Sequence, residues 1–223
     1  MVARFGARAE RTMGDTPDQD GKGLEAILPK GFENALDAQR DAEAVEKLKA
    51  ACLAAYDKHK GSCSHAVNAV IREMLGLDET GWPHRQANAL IAFLDGSAEW
   101  TVVELDRGYE LAQHGVPVIG GKAETGTNGH VVVIYPGAKK PRGGYTFSKD
   151  GGLKTVASKG LYPLAMSTSI GSWPGALSKG DKTVWDPWGN DAAFAQVRFW
   201  APARAAAGKA DVSAALKGAG GPA

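Results

Sequence analysis

The spacing of apolar residues along this chain changes once, near residue 115, and that change limits the folds open to it. Before it the apolar positions recur at helical intervals. Leu36, Ala44, Val45, Leu48, Cys52, Leu53 and Tyr56 fall largely on one face of a helix expected over 33–58. Lys58-His59-Lys60-Gly61 closes that helix with a basic last turn and a glycine stop. A second helix is expected to open at Ser62 and Cys63 and to end before Gly76, with a third over 87–94 and a weaker fourth over 106–113. After residue 115 the runs become short and β-branched. Strands are expected at 116–119, 130–135 (stopped by Pro136-Gly137), 145–147, 164–169, 183–185 and 194–201. Helices first and strands after, without βαβ alternation, define an α+β class with N-terminal helices packed on an antiparallel sheet.

Composition narrows the function. Of 223 residues, 43% are hydrophobic, enough to bury a sizeable core. Twenty-six Lys and Arg against 25 Asp and Glu leave a formal charge of +1, which argues against a nucleic-acid partner. No run of about eighteen apolar residues occurs, so no membrane span is expected. The N-terminus carries Arg4 and Arg8 but no apolar stretch behind them, so export by the general secretory route is not expected and synthesis stays cytoplasmic. Residues 1–32 read as a flexible lead-in, 33–202 as one domain, and 203–223 as an Ala/Gly-rich tail.

Two stretches carry the residue types of nucleophilic chemistry. In Gly61-Ser62-Cys63-Ser64-His65 the cysteine falls in a first helical turn, where free backbone N–H groups and the positive end of the helix dipole lower a thiol pKa. The same groups can bind a developing oxyanion. In Asn128-Gly129-His130 a histidine stands at the mouth of a buried strand, held rigidly with an accessible ring, as a general base requires. Each has a plainer reading, a buried structural thiol and a capped core histidine. Together they follow one ordering used by cysteine hydrolases, helix-borne Cys before strand-borne His.

Other candidates are thinner. His59, Cys63 and His65 are close enough in sequence to suggest metal ligands, but no fourth ligand is nearby and no cofactor is expected. The loop from Gly120 to Gly129 lacks the Lys-Ser/Thr of a phosphate loop, and there is no Gly-x-Ser-x-Gly elbow. Lys139, Lys140 and Arg142 form a basic turn, either solvated or a docking patch for an anionic substrate. Trp173, Trp185, Trp188 and Trp200 read as core and groove wall.

A set of motifs in order resembles a known family. Ser62-Cys63-Ser64 opening a helix through Val67 and Val70 resembles the Asn-Cys-Ser-Gly-aromatic-Val opening of type VI secretion amidase effectors, an NlpC-like branch of the papain-fold cysteine peptidases. Ala87-Asn88-Ala89-Leu90 with Trp100 is similar to that family's Ala-Asn-Ala-Met helix and its Trp. The run 115–122 and then Gly129-His130-Val131-Val132-Val133-Ile134 resemble its glycine loop and Gly-His-Val-x-Val-Val strand. Ser167-Thr168-Ser169-Ile170-Gly171 and Val184-Trp185 match later segments, so the resemblance runs from about residue 51 to 200.

The resemblance implies a papain-like, NlpC-type fold and a peptidoglycan amidase, a D,L-endopeptidase cutting stem peptides next to D-glutamate. Cys63 is then the nucleophile, His130 its base, and Ser167 the third, His-facing position. It further implies a cognate immunity protein, a secretion apparatus component as carrier, and action in the periplasm of a target bacterium. The chain departs from the family in having Ser62 for Asn and His65 for Gly. Two alternatives stay open: a papain-like hydrolase or acyltransferase acting on a protein amide, and a non-catalytic cell-wall binding module.

Overall fold

Helix-forming residues run without a proline from Lys30 to Lys58, and they form one helix, α1 (Lys30–Lys58). The computed structural model describes residues 30–207, apart from 170 and 172. Of the lead-in expected over 1–32, residues 1–29 lie outside the described residues and 30–32 already belong to α1. Of the tail expected over 203–223, residues 208–223 lie outside them, while 203–206 form a turn of helix. The chain divides into two units between Leu36 and Asp37. Of the first, only the opening turns of α1 are described; the second holds everything below.

Helix α2 (Cys63–Leu75) has the bounds its sequence signals dictate. Ser62, in extended backbone, caps it by accepting a hydrogen bond from the His65 N–H, and Gly76 ends it at φ 67°, a left-handed conformation that a Cβ would strain. Then come α3 (Ala87–Gly96), β1 (Trp100–Val103) and α4 (Leu105–Gln113). The strands follow: β2 (Ile119–Lys122), β3 (His130–Arg142), β4 (Tyr145–Lys149), β5 (Gly152–Val156), β6 (Lys159–Ser167) and β7 (Ser178–Thr183). A single turn, α5 (Asp191–Phe194), leads into β8 (Arg198–Pro202) and a last turn, α6 (Ala203–Ala206). Six strands make one sheet in the order β1-β8-β2-β3-β6-β7, every neighbour antiparallel, while β4 and β5 pair as a separate hairpin. The class is α+β with an antiparallel sheet. Among the described residues no helix is long and apolar enough to cross a membrane.

The centre of the sheet is covered on both faces, which explains the unbroken apolar run of β3. Val131 and Val133 pack with Leu48 and Cys52 of α1, Ile71 of α2 and Leu90 of α3. Val132 and Ile134 face the other way, onto Leu111 of α4, Val184 and Phe199. A strand buried on both sides has no polar alternation to show.

Several strands differ from their sequence-based bounds. Pro136-Gly137 does not stop β3. The strand has already run past the end of β2, whose first residue Ile119 pairs with Val133, so the missing proline N–H costs no ladder bond on that side. The dipeptide lies instead in a bulge, where five steps from Tyr135 to Lys140 match only two from Leu164 to Tyr162 on β6. β2 begins at Ile119 rather than 116. β7 covers the polar Ser178–Thr183, because an edge strand need bury only its ends. Residues 191–194 are helical, capped by the Asn190 side chain, so β8 begins later than expected. β1 and β5, not expected as strands, gain order by pairing with β8 and β4.

Candidate active site

Cys63 is the first residue of α2 and is half-buried, packed against the core cluster that contains Val131. Helix geometry leaves four N–H groups at that end without intrahelical partners. Ser62 takes two nearby donors, its hydroxyl accepting from the His65 N–H at 3.4 Å and its carbonyl from the Ala66 N–H at 3.1 Å. The backbone N–H groups of Val131 (the residue after His130), Ser64 and Cys63 itself each act to lower the pKa of the Cys63 thiol.

These donors do not decide the charge state. Burial raises the Cys63 thiol pKa above its ordinary value, outweighing the backbone N–H groups of Val131, Ser64 and Cys63 that act the other way. The lowered pKa expected from the helix start is thus not the net result, because that turn is sunk into the core. Burial also depresses the His130 imidazole to about 4. At neutral pH the two groups are a thiol and a neutral imidazole.

His130 opens β3, and its Nε2 lies 3.1 Å from the Ser167 hydroxyl at the end of β6. Ser167, fully buried, also donates to the Ala176 carbonyl at 3.1 Å. A hydroxyl has one proton, and a carbonyl can only accept, so the proton between Ser167 and His130 must sit on Nε2. This leaves Nδ1 unprotonated and able to accept a proton. Trp188 meets the imidazole edge-on, ring centroids 5.4 Å apart.

A backbone seam joins the two halves. The Ser169 N–H donates to the Lys60 carbonyl at 3.1 Å, tying the loop before Cys63 to the chain just after Ser167. The structure therefore gathers Cys63, His130 and Ser167, the three residues singled out in the sequence, around the start of β3. Among the described residues the thiol and imidazole make no hydrogen bond with each other; such contacts often tighten only when substrate is bound. A cleft of about 570 Å³, lined by Tyr56, Lys60, Trp173 and Leu177 among others, opens beside the seam.

The remaining candidates go elsewhere. His65 stacks between His59 (centroids 5.7 Å apart) and His84 (3.9 Å), an arrangement in which ring faces rather than nitrogen lone pairs meet. Among the described residues no group of three His, Cys, Asp or Glu is placed to hold a metal ion. Lys139 and Arg142 pair with Asp106 and Asp191. Trp185 and Trp200 are core.

Sequence reasoning missed the parts that hold the helix bearing Cys63. Asn68 donates from Nδ2 to the Ser64 and Arg85 carbonyls at 2.7 and 2.9 Å, and its Oδ1 accepts from Trp82 Nε1 at 2.9 Å. The available signal was a polar residue on the apolar face of α2, fully buried in the structure. The Ala176 carbonyl had no signal at all, being backbone. Compared with models of known families and with curated proteins, the chain matches none.

Proposed function

We propose that this protein is a papain-like cysteine hydrolase of the NlpC kind that cleaves amide bonds in peptidoglycan stem peptides. The observation that carries the proposal is the chain His130 Nε2–H to Ser167 hydroxyl to Ala176 carbonyl, which leaves Nδ1 unprotonated, while the helix-borne Cys63 is acted on by the backbone N–H of Val131, the residue after His130. A non-catalytic wall-binding module has no use for a fixed imidazole tautomer there.

The chemistry follows from a neutral pair. As Cys63 Sγ attacks the amide carbonyl, its proton passes to His130 Nδ1, and Ser167 holds the imidazolium by accepting from Nε2. The N–H groups at the start of α2 receive the negative charge on the carbonyl oxygen. The tetrahedral adduct collapses, the C–N bond breaks, and the leaving amine takes the proton from His130. Water, deprotonated by the same nitrogen, hydrolyses the thioester and returns the thiol.

The motifs quoted above add the substrate, a bond next to D-glutamate, and the setting, an antibacterial type VI secretion effector. That setting includes a carrier in the secretion apparatus, an immunity protein covering the groove, and action in the target cell's periplasm. Purified protein incubated with sacculi is expected to release muropeptides, read by mass spectrometry. Cys63→Ala and His130→Ala should abolish release with the fold intact, and Ser167→Ala should reduce it in part. Release that survives Cys63→Ala would overturn the proposal. Cysteine-dependent cleavage of protein amides, with intact sacculi, would move the substrate to the protein-amide reading.

A further inference from the structure

The loop that delivers His130 is exposed from Ala123 to Asn128 and contains no apolar anchor, yet Gly129 behind it is buried. Loops of that kind are normally mobile, whereas a general base must be held to within a fraction of an ångström. One side chain resolves this conflict. Asn88, half-buried in the first turn of α3, makes four hydrogen bonds to the loop backbone. Its Nδ2 donates to the carbonyls of Glu124 at 2.9 Å and Thr127 at 3.1 Å. Its Oδ1 accepts from the N–H groups of Glu124 and Gly129, each at 3.1 Å. A planar amide offers two donors and a carbonyl with two lone pairs, so its hydrogen-bonding capacity is fully used.

The fit leaves no slack at the far end. A Cβ on Gly129 would come within 2.3 Å of Asn88 Oδ1 and 2.7 Å of the Lys122 carbonyl. The same turn of chain also grips the nucleophile's helix: the Arg85 carbonyl accepts from Asn68 at 2.9 Å, and Gln86 Oε1 accepts from the Ser64 hydroxyl at 3.1 Å. Residues 85–88 therefore touch both the residue after Cys63 and the residue before His130.

We infer that Asn88 is a positioning residue for His130, and that the start of α3 is the bracket setting the imidazole relative to the thiol. The inference rests on reading Cys63 and His130 as a dyad. Asn88 touches neither reacting group; it acts by fixing the backbone from which the imidazole hangs.

The test is the pH profile of Cys63 alkylation by iodoacetamide, which needs no substrate, run beside hydrolysis of sacculi. The wild-type protein should show a His130-dependent limb that is missing in His130→Ala. Asn88→Ala should shift the profile toward that of His130→Ala and lower kcat by up to about a hundredfold with KM little changed. Asn88→Asp keeps the two acceptor bonds but sets its second oxygen against the Glu124 and Thr127 carbonyls, so its profile should shift at least as far as that of Asn88→Ala. Thermal melts identify folded variants, and if Asn88→Ala does not fold, Asn88→Asp decides. A folded variant with the wild-type profile overturns the inference. If His130→Ala itself alkylates like wild type, the dyad reading fails and the inference fails with it.

Discussion

Helix α2 and the β4–β5 hairpin are both fully formed, but they are held in opposite ways. Eight of the thirteen residues of α2 are buried, including Val67, Val70, Ile71 and Met74 on its apolar face. The hairpin has a complete ladder from Tyr145–Val156 to Lys149–Gly152 and buries almost nothing, with Leu153 79% exposed. Its attachment includes one buried carboxylate. Asp186 accepts from the Gly143 N–H at 2.9 Å and the Tyr145 hydroxyl at 3.2 Å on one oxygen. On the other it accepts from the N–H and hydroxyl of Thr183, both at 2.8 Å. Ladder hydrogen bonds exchange for water at little net gain, so they give shape, while apolar burial fixes position. Cys63 stands on the element fixed by burial.

This contrast can be broken most directly at Ile71. Ile71→Ala should cost about 2–5 kcal/mol in urea unfolding, because a fully buried side chain leaves a cavity against β3. Leu153→Ala should stay within about 0.5 kcal/mol. Comparable losses at the two positions would remove the distinction between them.

Acid should act on the buried side as well. His130 falls from its ordinary 6.5 to about 4 on folding, so between those values the unfolded chain binds the extra proton. Stability is fully present above about pH 6.5 and is lost as pH drops toward 4, by on the order of 3 kcal/mol from this group. Burial lowers His59 and His84 too, adding to the same slope. His130→Gln should flatten, without abolishing, the dependence measured in urea between pH 4 and 7. An unchanged slope would show that the imidazole is not held neutral.

The smaller effect belongs to Asp186. Asp186→Asn sets an amide N–H against donors that the carboxylate now accepts, at a cost of about 1–3 kcal/mol. Hydrogen exchange should then quicken in β4 and β5 while α2 keeps its protection. Loss of protection in both would mean that the hairpin and the helix bearing Cys63 open as one unit.

The sequence made α2 legible to the residue, since Ser62, the helical period and Gly76 are all local signals. The same holds for Cys63 and His130, whose residue types stand at an element's start. The polar edge strand β7 and the short β1 were not legible, because pairing across the sheet supplies what their composition lacks. Asn88 was visible as part of a motif but not as a clamp, since its partners are backbone groups 36 to 41 residues away. The direction of the Cys63 pKa was misread because local sequence reveals the helix end but not how deeply it is sunk.

The bulge in β3 has a consequence for how this molecule tolerates change. From His130 to Tyr135 the strand is locked to its neighbours, with Val133 opposite Met166 and Tyr135 opposite Leu164. Past Pro136-Gly137 the register slips, so extra or missing residues further along are absorbed there instead of being passed back to the imidazole. The tip at Asp150-Gly151, both in left-handed backbone conformations, is thus a grafting point. An epitope or a fluorescent label inserted there lengthens the hairpin and leaves His130 where it is.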